Sequence, residues 1–81
     1  MNREDVLKKI DGICKDVFDD ETLIVTEQTS PEDIEDWDSL TNIQLICDVE
    51  NVFGIKFTME EVQKFTDIGE LVEIILKKIV I

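Results

Sequence analysis

Few side chains in this 81-residue chain could do chemistry: two serines, Ser30 and Ser39, two cysteines, Cys14 and Cys47, and a surplus of carboxylates. The chain has no His and no Tyr. That inventory excludes the Ser/His/Asp, Cys/His and His-metal arrangements in which a side-chain base activates a nucleophile or a metal. No catalytic residue and no metal ligand is therefore assigned, and the chain is expected not to be an enzyme. The acids also fail as a calcium loop, since no window combines alternating Asp/Asn ligands with Gly at the sixth position and Glu at the twelfth. Ser30 precedes Pro31 and reads as a helix cap. Ser39, within Asp38-Ser39-Leu40, opens a long apolar-periodic stretch and is the serine that could be presented to a partner. Both cysteines fall inside apolar helical patterns, where a thiol behaves as a small hydrophobe. Two are too few for a disulfide scaffold, so they are expected to be reduced.

The elements that must hold Ser39 can be read from periodicity and capping. Val6, Leu7, Ile10, Ile13, Cys14, Val17 and Phe18 share one arc of a first helix, with Asn2 as N-cap and Asp5 in its first turn. Residues 19 to 38 show no sustained period, which predicts a long connection with internal structure. Ser30-Pro31-Glu32-Asp33 predicts a short helical turn within it. A second helix is expected from Ser39 to Phe53, capped by Asp38 and stopped by Gly54, with Ile55 making the accompanying apolar contact. Thr58-Met59-Glu60-Glu61 has capping-box spacing and opens a short third helix carrying Val62 and Phe65. Asp67-Ile68-Gly69-Glu70 repeats that pattern for a fourth, with Ile68, Leu71, Val72, Ile75 and Ile79 as its stripe and Glu73 spaced to pair with Lys77. Leu23-Ile24-Val25 and Ile55-Lys56-Phe57 are too short to assign. The expected fold is all-α, a small four-helix bundle of three longer helices and one short one, forming a single domain over residues 1–81.

On the second helix, Leu45, Ile46, Val49, Val52 and Phe53 form the core stripe. Leu40, Ile43 and Cys47 form a separate apolar strip, with Gln44, Asp48 and Asn51 on the polar remainder. Either the third helix covers this strip or it stays open as a docking surface beside Ser39. Phe18, Phe53, Phe57 and Phe65 read as packing residues, and truncating Phe53 is expected to cost about 3–5 kcal/mol.

The formal net charge is −12, from 20 acidic and 8 basic residues. It is concentrated: residues 16 to 55 hold twelve carboxylates and no Lys or Arg. Such a field repels nucleic acid and anionic lipid and attracts basic protein surfaces. No apolar run approaches the roughly 18 residues of a membrane span, and the polar start gives no signal peptide. The chain is expected to be a cytoplasmic monomer.

Asp38-Ser39-Leu40 at a helix start, then Ile43, Leu45, Ile46, Glu50, Phe53-Gly54-Ile55 and Glu61 through Thr66-Asp67-Ile68-Gly69-Glu70-Leu71, resemble the acyl carrier protein family across nearly the entire chain. The resemblance implies that a phosphopantetheinyl transferase moves 4′-phosphopantetheine from coenzyme A onto Ser39, flanked by Asp38 and Leu40. The arm's thiol would then carry acyl intermediates of fatty-acid, polyketide or related biosynthesis as thioesters. A hydroxyl in the first turn would place the phosphate near unpaired N–H groups and the positive end of the helix dipole. Asp38 opposes this electrostatically and is read as N-cap and as help in holding a cation. Loading and processing enzymes with basic surfaces are the implied partners, docking on Glu35, Asp36, Leu40, Ile43, Cys47, Asp48 and Glu50. Gln44 stands where such carriers often have Glu, and Glu35 and Asp36 would compensate.

Glu35-Asp36-Trp37-Asp38 replaces the Gly that precedes Asp-Ser-Leu in common carriers, and Lys56 and Thr58 depart as well. These features resemble specialised stand-alone carriers. An aminoacyl or peptidyl carrier is the alternative, and an unmodified acidic helical adaptor the rival from another class.

Overall fold

Asn2 begins the fold as expected: its side chain accepts from the Asp5 N–H at 2.9 Å, and the Asp5 carboxylate accepts in return from the Asn2 N–H. The computed structural model describes residues 2–79. It contains helices α1 (Arg3–Val17), α2 (Ser39–Phe53), α3 (Met59–Lys64) and α4 (Ile68–Ile79), with no strand among the described residues. Gly54 ends α2 in the left-handed conformation at φ 66°, and the Ile55 N–H closes the motif on the Glu50 carbonyl at 3.1 Å. Thr58 and Glu61 form the reciprocal box that opens α3.

Val6, Ile10, Ile13 and Cys14 of α1 meet Leu45, Ile46 and Val49 of α2 and Ile68, Leu71, Val72 and Ile75 of α4 in one buried cluster. Burying this apolar surface is the main force holding three helices together. The short α3 buries no residue of its own. Phe65, expected on that helix, lies just past its end in extended backbone and is buried there. Two other expectations change. Val52 is 50% exposed rather than core, and Phe53 is only half-buried. The cost of truncating Phe53 is correspondingly below that of a fully buried ring.

The long connection folds through polar groups. Asp11 on α1 accepts from the Val25 N–H at 3.1 Å and pairs with Lys15. Thr26 and Thr29 close a turn on each other, and that turn abuts the start of α4. There the Thr29 and Glu27 carbonyls accept from the Ile68 and Gly69 N–H groups at 2.9 and 2.8 Å, pairing donors that the helix itself cannot satisfy. Arg3 reaches across to Glu27, Glu73 and the Gly69 carbonyl. Glu73 therefore pairs with Arg3 at 3.2 Å instead of the expected Lys77, because the fold brings the start of α1 beside α4. Ser30–Asp33 makes one turn, with Asp33 N–H on the Ser30 carbonyl at 2.9 Å, and does not extend into a helix. Leu23–Val25 and Ile55–Phe57 are irregular.

Two glycines on helices predict opposite mutational signs. A Cβ on Gly12 meets nothing within 4 Å, so Gly12→Ala should raise the unfolding free energy by about 0.5–1 kcal/mol. A Cβ on Gly69 would stand 2.9 Å from the Glu27 carbonyl oxygen. Gly69→Ala should lower stability by about 1–3 kcal/mol through that overpacking. Urea melts of the two variants check both signs.

Candidate functional site

Ser39 is the first residue of α2 and is exposed. Its neighbours are engaged, and it is not. Asp38 Oδ1 accepts from the Leu40 and Thr41 N–H groups, each at 3.0 Å. Thr41 Oγ1 accepts from the Asp38 N–H at 2.8 Å and donates to the Asp36 carbonyl at 2.8 Å. Behind them Trp37 is 6% exposed, with its ring centroid 5.8 Å from that of Phe18. Its indole N–H donates to Asn42 Oδ1 at 3.0 Å. Among the described residues the Ser39 hydroxyl meets no hydrogen-bond partner, so a free O–H stands at a rigid helix tip.

The electrostatics differ from expectation in one respect. The Leu40 and Thr41 N–H groups, expected to be open to a phosphate, are occupied by Asp38. The Thr41 N–H, with smaller help from the Thr41 hydroxyl and the Leu40 N–H, holds the Asp38 carboxyl below its ordinary pKa. Asp38 is thus the anion that satisfies the helix start, and its other oxygen faces no partner among the described residues.

Beside Ser39 lies an open groove of about 300 Å³. Pro31 and Trp37 of the loop, Asn42 of α2, and Val62 and Phe65 line it, with Asp38 and Ser39 on its wall. The rings of Pro31, Trp37 and Phe65 and the Val62 side chain give the groove an apolar wall that suits the methylene segments of an arm such as pantetheine. The strip beyond Ser39 is open: Leu40 is 75% and Ile43 59% exposed, and Cys47 is exposed too. Helix α3 does not cover it. Glu35 and Asp36 are exposed in the approach to α2, and Asp48 is half-buried on α2 itself. Glu50 stands apart, since one of its oxygens accepts from the Phe57 N–H at 2.8 Å and anchors the α2–α3 connection. Thr41, Trp37 and Asn42 escaped the sequence reading. The three-residue spacing of Asp38 and Thr41 was a usable capping signal, whereas nothing local links Trp37 to a side chain five residues on.

The all-helical bundle is that of a carrier class, as the comparisons show. The profile of the family described as the phosphopantetheine attachment site matches residues 8–75. The acyl carrier protein of Rubrobacter xylanophilus is 36% identical over 78 residues, covering 95% of each chain. That of Thermotoga maritima is 30% identical over 78 residues, covering 96% of each. Among solved structures, the holo acyl carrier protein of Geobacter metallireducens superposes with TM-score 0.84 at 38% identity, over 90% of this chain and 84% of that one. The Enterococcus faecalis acyl carrier protein gives 0.74 at 30% identity, over 96% and 99%. The chain belongs to the phosphopantetheine-attachment family and, within it, to the acyl carrier proteins. Its cofactor is 4′-phosphopantetheine. Among the described residues no helix is long and apolar enough to cross a membrane, and no group of three or more His, Cys, Asp or Glu could hold a metal ion.

A carboxyl whose folded pKa is depressed stabilises the fold above its unfolded value, near pH 4 for Asp, and loses that contribution as pH falls through the folded pKa. The gap in urea midpoint between the parent and Asp38→Ala should accordingly be full at neutral pH and close in acid below the ordinary Asp range. The thiols offer a second check. Burial pushes Cys14 up to about 12, with Asp11 adding to the rise, while Cys47 is exposed. An alkylating reagent at neutral pH should label Cys47 in the native protein and reach Cys14 only on unfolding.

Proposed function

We propose that Ser39 is the residue that receives the arm. The observation that carries this reading is its exposed hydroxyl, unengaged at the first position of α2 while the Asp38 and Thr41 side chains on either side are tied down. In the modification, Ser39 Oγ bonds to the phosphorus bearing the pantetheine of coenzyme A as the bond to the adenosine bisphosphate breaks, and the hydroxyl proton passes to a base of the phosphopantetheinyl transferase. Asp38 caps the helix with one oxygen and offers the other to a cation held in the transferase complex. When bound, the arm supplies a terminal thiol that carries acyl groups as thioesters. The chain's own residues contribute position, and they contribute recognition.

Recognition falls to Leu40, Ile43 and Cys47 as an apolar patch, with Glu35, Asp36 and Asp48 as its charged surround. Basic surfaces of the transferase and of acyl-loading and acyl-processing enzymes fit this arrangement, and its field speeds their encounter at low salt. Glu50 is left to the fold. Acyl cargo of a fatty-acid, polyketide or related pathway suits the family. The Glu35-Asp36-Trp37-Asp38 entry to α2 supports a dedicated pathway over a housekeeping one. Two free cysteines fit a reducing, cytoplasmic compartment.

Incubation with coenzyme A and a broad-specificity transferase tests the assignment by intact mass. The parent should gain one phosphopantetheine and Ser39→Ala none. Uptake by Ser39→Ala would move the site elsewhere, and no uptake by the parent would favour the unmodified adaptor.

A further inference from the structure

Ser39 stands at the junction between a 21-residue connection and α2, and two kinds of contact hold that junction. The bonds of Asp38 and Thr41 are local, joining residues 36 to 41 to one another. They define the shape of the tip and would travel with it. Trp37 is different because it fastens the tip to the rest of the molecule. Its ring packs on Phe18 at the C-cap of α1, at 5.8 Å and an interplanar angle of 46°. Its backbone N–H donates to the Ile34 carbonyl at 3.1 Å. Its indole N–H donates to Asn42 Oδ1 at 3.0 Å, one turn up α2. A buried indole N–H requires an acceptor, and Asn42 supplies it while the same ring packs on Phe18.

We propose that Trp37 and Asn42 form a strut that positions Ser39 for modification: the Asn42-anchored indole pins the entry to α2 against α1 and so sets where the Ser39 hydroxyl stands. The proposal rests on Ser39 as the modified residue. Trp37 and Asn42 act through Ser39 and are positioning residues. Group transfer is sensitive to sub-ångström placement of the attacking oxygen, so loss of the strut is felt in kcat. The charged and apolar groups that would dock the transferase are untouched, and KM for the carrier stays.

Steady-state phosphopantetheinylation of the full chain, with coenzyme A and a broad-specificity transferase, tests this at a temperature where melts show each variant folded. Asn42→Leu removes the acceptor, and Asn42→Asp keeps an oxygen in its place. The expected result is a kcat for Asn42→Leu lower by about tenfold, with KM within twofold of the parent and kcat largely restored in Asn42→Asp. Trp37→Phe, which keeps a ring and deletes the indole N–H, should match Asn42→Leu and serves in its place if that variant does not fold. Since Trp37 is the chain's one tryptophan, its emission should shift to the red in Asn42→Leu and return in Asn42→Asp. Parental kcat in Asn42→Leu, or equal loss in the Leu and Asp variants, overturns the strut while leaving Ser39 as the site. Failure of the parent to gain mass overturns the modification itself, and the strut with it.

Discussion

A helix start leaves backbone donors without partners, and in this chain two such starts organise everything else. At α4 the donors of Ile68 and Gly69 take carbonyls of the long connection, so a stretch with no apolar periodicity acquires a fixed course. At α2 the donors of Leu40 and Thr41 take the Asp38 carboxylate, which leaves Ser39 the free group between them. Both arrangements answer the requirement that main-chain N–H groups be paired. The first places the loop, and the second presents the hydroxyl. The close approach at Gly69, where a side chain would collide with Glu27, shows how tightly the first is made.

Around that hydroxyl the division of labour is plain. The buried faces of α1, α2 and α4 form a frame, while α3, with no buried residue, contributes a wall of the groove through Val62. The uncovered strip of α2 lies against no layer of the protein itself, and the charge around it is of one sign. In such an arrangement the proposed division leaves position and recognition to the fold and the carrying of acyl groups to the prosthetic thiol.

Much of this was legible in the residue order. Caps at Asn2, Asp38, Thr58 and Gly54 marked helix ends because they act within three or four residues, and the range of α2 followed to the residue. The two apolar sides of α2 were also readable, although which would be covered was not, since a wheel assigns direction and says nothing of what stands opposite. Val52 shows the limit: its angle placed it in the core, but it is 50% exposed while its neighbour Phe53 packs against the cluster. Arg3 shows another. Its partners Glu27 and Glu73 lie 24 and 70 positions away, so the nearer spacing of Glu73 and Lys77 suggested a pair that the fold replaces. The Trp37–Asn42 bond likewise spans the bend from the connection into α2, which no spacing rule encodes.

The connection between α1 and α2 is moored by unlike means at its two ends. Near Glu27 the hold includes a half-buried ionic contact with Arg3, which dissolved electrolyte partly screens. At Trp37 it is an interior aromatic contact that electrolyte does not weaken. In brine the Arg3 ties would therefore loosen, while the main-chain bonds at Ile68 and Gly69 and the packed indole keep both ends of the connection in place.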